Sequence, residues 1–316
     1  MAQQTSKRGV VDFNFSSPAV DFTKTVNTAG LKGQSALVTG GANGIGAGFA
    51  TALAEAGAYV TIVDLHSDGE KYAKELASKG LHVQFIQADV RSWDAQLQAF
   101  KSAIEFHPTH SLDIVVTAAG LVGNSMDQWI KHNPTDSNAD PHPPTTDVID
   151  VNLTGSFYSI HLAVHYFART IDAATSAESK QIVLVASLAG YAALPLLADY
   201  NGSKFGVRGM MKALRARPEL LGEGKKRVRT NLIAPTYIRT KMIANHLGKL
   251  AEAGIPVGEV EDCVDGFLRV VTDEGVHGRA IAIAPNKGGS DMKDDLKHYD
   301  AGKGLKELIE GRLFGG

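Results

Sequence analysis

The chain has 316 residues, 44% hydrophobic and 21% charged, with a formal net charge of −2. That supplies a sizeable core, and a near-neutral balance without a long basic run argues against a nucleic-acid partner. The one cysteine, Cys263, excludes a disulfide scaffold and a Cys-based metal site, and a reducing compartment is the simpler assumption. No apolar run reaches the ~18 residues of a bilayer span, so no membrane partner is expected. The first thirty residues carry Lys7, Arg8, Asp12 and Asp21 and no apolar core. They read as neither a signal nor a transit peptide, which makes the cytoplasm the expected location.

In chain order, residues 1–30 read as an N-terminal extension laid on the surface. Short β-branched runs then alternate with stretches of helical spacing. Strands are expected at Ser35–Thr39, Tyr59–Asp64, Val83–Ala88, Asp113–Ala118, Gln181–Ser187, Val228–Ala234 and Ala280–Ala284. Helices are expected at Ile45–Ala56, Gly69–Lys79, Trp93–Phe106, Thr146–Ile171, Tyr200–Arg217 and Val260–Asp273. Continuously apolar strands separated by helices predict a parallel sheet covered on both faces. The expected fold is α/β: a single doubly wound domain over 31–287 with a seven-stranded parallel sheet. The polar, Pro-rich stretch Asn124–Thr146 reads as a long surface loop. The segment near 236–259 leaves from the ligand edge of the sheet and reads as a lid. Residues 288–316 read as a charged, Gly-rich tail with one short helix at Leu305–Arg312.

The first strand runs into Thr39-Gly40-Gly41-Ala42-Asn43-Gly44-Ile45-Gly46, with a helix behind it. Glycines at 40, 44 and 46 allow a sharp turn and let a pyrophosphate approach bare N–H groups at a helix N-terminus. The second strand ends at Asp64, whose carboxylate can accept hydrogen bonds from ribose hydroxyls and repels a 2′-phosphate. Ala42, Asn43, Leu65 and His66 offer no fixed cation to offset that repulsion, so NAD is favoured over NADP. Asp89-Val90 has two readings, the adenine edge and a helix N-cap region. Further on, Tyr200 and Lys204 fall on one helix face. There an ammonium can stabilise a phenolate, whereas a phenol at its ordinary pKa of about 10 is a poor base near neutrality.

With the Gly turn, Asp64, Ser187, Tyr200 and Lys204 in this order, the chain resembles the short-chain dehydrogenase/reductase family over roughly Leu31 to Pro285. Asp89-Val90, Ala118-Ala119-Gly120, Asn152 and Pro235-Thr236 carry the resemblance further. It implies a Rossmann domain that binds a nicotinamide dinucleotide. Tyr200 is then the acid/base. Lys204 holds the phenolate and the nicotinamide ribose, and Ser187 hydrogen-bonds the substrate oxygen. Asn152 holds a water that relays protons past Lys204. An Asn among Val148, Ile149, Val151 and Leu153 would otherwise be buried without a partner. The implied cofactor contacts are Thr39, Gly40, Asn43, Gly44, Ile45 and Gly46 in the turn, then Asp64, Asp89 and Val90. Ala118, Ala119, Gly120 and Pro235 follow, together with Tyr200 and Lys204 themselves. Ile238 contributes a backbone N–H and Thr240 a hydroxyl toward the nicotinamide carboxamide. Two positions depart from the family: Thr117-Ala118 stands where two Asn are usual, with Thr117 supplying a hydroxyl, and Thr236 stands where Gly is usual.

Residues after the fourth strand (Leu121, Val122), after Ser187 (Leu188–Leu197) and in the lid are largely apolar, and of the cations there only Arg239 could be aimed at a substrate carboxylate or phosphate. A hydrophobic secondary alcohol or ketone is therefore the expected small-molecule partner. The pattern is similar to hydroxyprostaglandin dehydrogenase-like members and to fungal polyketide-tailoring members. A redox-silent dinucleotide sensor, or a dehydratase or cyclase on the same fold, is the alternative. The helices at Thr146 and Tyr200 have apolar faces (Phe157, Ile160, Val164, Phe167; Phe205, Met210, Leu214) that suggest a homodimer or homotetramer. His161 and His165 share a helix face but lack a third ligand at suitable spacing, so no metal is expected. His107, His110, His132 and His142 read as solvated loop residues.

Overall fold

The computed structural model describes residues 16–132, 140–171, 177–223, 225–285 and 289–292. Seven strands follow from the apolar runs: β1 (Ser35–Thr39), β2 (Tyr59–Asp64), β3 (Val83–Gln87), β4 (Ile114–Thr117), β5 (Lys180–Val185), β6 (Val228–Pro235) and β7 (Ala280–Ile283). They pair in parallel in the order β3-β2-β1-β4-β5-β6-β7. Strands β1, β4, β5, β6 and β7 are buried at every residue, which is why they carry no polar alternation.

Helices cover both faces. On one side lie α1 (Gly44–Glu55), α2 (Asp68–Ser78) and α9 (Val260–Thr272), where Phe49 of α1 stacks on Phe267 of α9 at 4.2 Å. On the other lie α3 (Trp93–Phe106), α6 (Gly155–Arg169) and α7 (Ala198–Arg215), packed through Phe100, Phe167 and Met211. The strand order reverses direction between β1 and β4. That is the switch point where open α/β sheets leave a crevice at the carboxyl ends of their strands.

Four features differ from the sequence expectation. The sheet has eight strands, not seven, and is not wholly parallel: β8 (Gly289–Asp291) runs antiparallel along β7. Its residues lack β propensity and are held by partners distant in sequence. Asp291 pairs with buried Arg279 and accepts from the Val20 N–H at 2.8 Å, and a Cβ at Gly289 would lie 2.6 Å from the Phe22 ring. The described part of the N-terminal extension is thus a strap across the β7–β8 edge, and Ser17 bonds both His277 and Arg279. Second, the expected loop Asn124–Thr146 contains α4 (Met126–His132). Third, the expected single helix from Thr146 is α5 (Asp147–Ile149), a π turn at Asp150–Thr154, and then α6. Fourth, the segment between β6 and α9 is a 3₁₀ turn at Lys241–His246 followed by α8 (Leu247–Glu252).

Among the described residues no helix is long and apolar enough to cross a membrane. The helix expected at Leu305–Arg312 lies outside the described residues. His107 is buried rather than solvated, with Nε2 3.0 Å from the Gly33 carbonyl. His161 and His165 lie edge-on to Trp93 and Tyr166, respectively. Cys263 is buried, and burial pushes its thiol up, out of nucleophilic range.

Candidate active site

The β1–α1 turn is backbone packed on backbone. Gly40 has φ +64° and Gly44 φ +56°, in the left-handed region that favours glycine. A Cβ on Gly40 would sit 2.6 Å from the Ala119 backbone, and one on Gly46 2.2 Å from the Gly40 carbonyl. Strands β1 and β4 therefore bring Thr39–Gly46 against Ala118–Gly120. Asn43 caps α1 without a side-chain hydrogen bond, and no acid lies in the first helical turn. A helix start with no side-chain cap, behind glycines, fits the pyrophosphate of a dinucleotide.

Asp64 ends β2 and is 6% exposed. Its carboxylate accepts from the Ala42 N–H at 3.0 Å and the His66 N–H at 3.1 Å, so it also holds the Gly turn in place. Asp89 is engaged elsewhere: Arg91 binds it through Nε and Nη2 and reaches Asp147 at 2.7 Å. The Asp89 carboxylate is thus paired rather than free, and the Arg91 hydrogen bond lowers its pKa. Val90 is buried, and a Cβ on Gly155 at the start of α6 would lie 2.8 Å from its side chain.

Past β6, the Thr236 N–H and hydroxyl both bond the Ile283 carbonyl on β7, so a Thr is held where the family has Gly. Ile238 bridges Gly258. The pairing uses the N–H groups of Gly258 and Arg239 and leaves Ile238's own N–H out of it. Thr240 stands over the Gly turn, with Cγ2 3.2 Å from a Cβ built on Gly44. Arg239 closes the neck of this segment with Glu259 at 2.9 Å, so it does not act as a free cation for substrate.

The reactive side chains converge at the ends of β4, β5 and β6. Ser187 follows β5; its Oγ donates to the Pro235 carbonyl at 3.3 Å and accepts from the Ala189 N–H at 3.1 Å, and the hydroxyl stands close enough to the Tyr200 phenol to lower its pKa. Lys204, one turn along α7, lies below the Tyr200 ring, with Nζ 5.7 Å from the ring centroid. Its Nζ donates to the Val185 carbonyl at 3.1 Å, and burial alone lowers its pKa to about 8. Burial also raises the Tyr200 phenol above its ordinary value, against the lowering effect of the nearby Ser187 hydroxyl. The ammonium thus lies against the ring face, with the Val185 carbonyl as its hydrogen-bond partner.

Asn152 sits at the centre of the π turn, a distortion common at functional sites. It is buried but fully partnered, contrary to the expectation of an orphaned amide. Oδ1 accepts from the Leu121 N–H at 2.7 Å, and Nδ2 donates to the Leu121 carbonyl at 2.9 Å and to Ser203 Oγ at 3.0 Å. Ser203 in turn donates to the Tyr200 carbonyl at 2.7 Å. Gly120 fits because a Cβ there would lie 3.3 Å from Asn152 Oδ1 and 3.6 Å from Lys204 Nζ. Sequence reasoning missed Ser203 and Arg91; both were visible as polar residues beside named site residues. Thr117 does not supply the expected hydrogen bond: its Oγ1 is buried and without a partner.

The sequence model of the short chain dehydrogenase family matches residues 34–249, a span that contains every one of these side chains. The chain belongs to the short-chain dehydrogenase/reductase family. Members of this oxidoreductase family bind a nicotinamide dinucleotide in the crevice described above. This short-chain dehydrogenase/reductase is 40% identical to a 5′-hydroxyaverantin dehydrogenase of Dothistroma septosporum, over 92% of this chain and 97% of that one. It is 34% identical to the NADP-dependent dehydrogenase M3 of a Phoma species, over 96% and 92%. A solved short-chain type dehydrogenase/reductase from Mycobacterium marinum superposes with a TM-score of 0.65 at 25% identity, over 80% of this chain and 94% of that one.

Proposed function

We propose that this short-chain dehydrogenase/reductase is an NAD-linked dehydrogenase of a hydrophobic secondary alcohol, with Tyr200 as the acid/base. The observation that carries the reading is the convergence of Ser187 at the end of β5 and buried Lys204, bonded to the Val185 carbonyl, on the Tyr200 ring. When bound, the nicotinamide supplies the hydride acceptor or donor. Ser187 orients the substrate oxygen and stabilises charge on it, while Tyr200 takes the hydroxyl proton. Lys204 is the cation that favours the phenolate once it gains a polar partner beside its one carbonyl. Asn152 holds Leu121 and Ser203, and so fixes the wall behind Lys204 through which protons are exchanged.

Asp64 supports NAD: a second anion beside its carboxylate is repelled, and Arg91, past the end of β3, is committed to two acids. The relative named as NADP-dependent sets the opposite expectation, and NAD compared with NADP in one assay decides between them. The pocket side is apolar, with Leu121, Val122, Leu196 and Met242 exposed, and Arg239 is already paired. That supports an uncharged substrate. The relative named for hydroxyaverantin supports a tailoring role in secondary metabolism. The segment near 236–259 serves as the lid. Ile160 and Phe167 are covered by the sheet, but Phe157 and Phe205 are exposed, so the same proposal includes a homodimer or homotetramer through that face.

The test is a panel of hydrophobic secondary alcohols read at the nicotinamide absorbance. Turnover with NAD is expected. Tight NAD binding with no turnover across the panel would sink the reading in favour of a redox-silent binder.

A further inference from the structure

Between Ser187 and Tyr200 the chain makes a strained turn. Leu196 has φ +65°, a conformation a branched residue adopts only when its surroundings impose it, and its side chain is 53% exposed. Two contacts impose it. Asn201, the residue after Tyr200, brackets Leu194 from both sides: the Leu194 N–H donates to Oδ1 at 3.0 Å, and Nδ2 donates to the Leu194 carbonyl at 2.7 Å. The Leu196 carbonyl then accepts from the N–H of Met126, the first residue of α4, at 2.9 Å. The loop that leads to α4 is pressed onto the start of α7, where a Cβ on Gly123 would lie 2.2 Å from Asp199 Oδ2. Met126 and Ile130 are four residues apart on α4, about 6 Å along one face, and both are exposed, Ile130 at 72%. With the exposed Leu196, whose carbonyl holds α4, they give an exposed apolar cluster on the turn that leads into α7 and Tyr200.

Resting on the proposed function, we infer that Asn201 is a positioning residue that sets substrate width: it locks the Leu194–Leu197 turn and the docked helix α4 into one wall that selects neutral alcohols and ketones broader than one ring. Asn201 touches neither the phenol nor the ammonium, so its loss loosens the wall and leaves the proton-transfer groups in place. It follows Tyr200 directly, so the wall is indexed to the reacting oxygen within a single helical step.

The experiment uses the full chain with NAD and two probes, 9-fluorenol and cyclohexanol. Asn201→Ala removes two hydrogen bonds and is expected to lower kcat/KM for fluorenol about tenfold, chiefly through KM. Cyclohexanol changes less than about twofold, as does the KM for NAD. Met126→Pro removes the N–H that docks α4, together with the Met126 side chain, at a helix position that tolerates proline, and shifts the same ratio the same way. An equal fall on both alcohols, or no change on either, overturns the inference. A second readout does not need turnover. Trp129 lies half-buried on α4 and, in Trp93→Phe, is the sole tryptophan. Its fluorescence is quenched by 9-fluorenone if the ketone seats on the wall, and more weakly so in Asn201→Ala. Quenching without turnover of any alcohol defeats the proposed function and keeps the wall; turnover of fluorenol without quenching does the reverse.

Discussion

Strand β5 has a buried lysine at each end, and the two are used differently. Lys180 opens the strand, is fully buried and ion-pairs with Asp113 at 2.9 Å. It also donates to the Leu112 carbonyl at 2.7 Å, Ser111 Oγ at 3.2 Å and the Thr170 carbonyl at 3.3 Å. Lys204 reaches the other end, where its ammonium meets the Val185 carbonyl and the face of the Tyr200 ring. Burial pushes both below the ordinary lysine value. Asp113 opposes that push for Lys180, whereas nothing opposes it for Lys204, which falls to about 8. A buried ammonium with every proton placed is architecture. One held with spare donors beside a phenol is ready to take further partners, and the protein bears the cost of keeping it there.

The largest expected effect falls on the reactive end. Tyr200→Phe removes the hydroxyl that exchanges the proton and should lower kcat by three to four orders of magnitude with NAD affinity intact. Full turnover in that variant, followed at the nicotinamide absorbance, would show that another group is the base. Next comes the architectural end. Lys180→Met takes the cation away from the buried Asp113 carboxylate, which keeps its Ser35 N–H and Ser111 hydroxyl bonds, and is expected to cost about 3–5 kcal/mol in chemical denaturation. Lys204→Met should do the opposite to stability while ending turnover, because it removes a charge that is buried without a counter-ion. From a fall to about 8 against the ordinary 10.5, the gain is up to about 3 kcal/mol. The sign follows from proton binding: between those values the unfolded chain holds the extra proton. The gain is therefore full below pH 8 and vanishes as the pH nears 10.5. Denaturation of both proteins at pH 7 and pH 10 measures it, and an equal gain at both would mean that Lys204 is not buried as a cation.

The same contrast explains what could be read from the chain. The Gly turn, Asp64, Ser187, Tyr200 and Lys204 were legible because each is placed by local structure: a strand end, a helix N-terminus, a helical period. Strand β8 was not, because Gly289–Asp291 has no strand character and pairs only where Arg279 and Val20, far away in sequence, hold Asp291. The π turn was equally hidden, since an apolar heptad-like run reads as continuous helix. Asn152 was found as a site residue on a wrong premise: it has partners, but they come from the β4 loop and from α7, which sequence spacing cannot bring together. Asp89 was found without Arg91, although only Val90 separates them, because an acid after a strand was read for a ligand or a helix N-cap rather than for its neighbour.

A smaller effect tests the charge at Asp64 apart from its structural bonds. Asp64→Asn keeps an acceptor toward the Gly turn and removes the negative charge. The ratio of kcat/KM with NADP to that with NAD is expected to rise about tenfold or more. An unchanged ratio would place the discrimination elsewhere in the crevice.

The smallest effect separates two threonines that face each other across β1 and β4. Thr39 Oγ1 lies 3.5 Å from the Val116 carbonyl and 3.4 Å from the Ala119 N–H, at the root of the Gly turn. Thr117 is equally buried, and its Oγ1 meets no partner. Valine has nearly the same shape, so each substitution isolates a hydroxyl. Thr117→Val removes an unsatisfied group and should stabilise by up to about 1 kcal/mol, with NAD affinity unchanged. Thr39→Val removes long bonds and should cost about as much, with a measurable loss of NAD affinity as the turn loosens. Thermal denaturation with and without NAD reads both. If Thr117→Val destabilises instead, its hydroxyl is bonded through a bound water, and the end of β4 keeps the polar support that the family draws from asparagine.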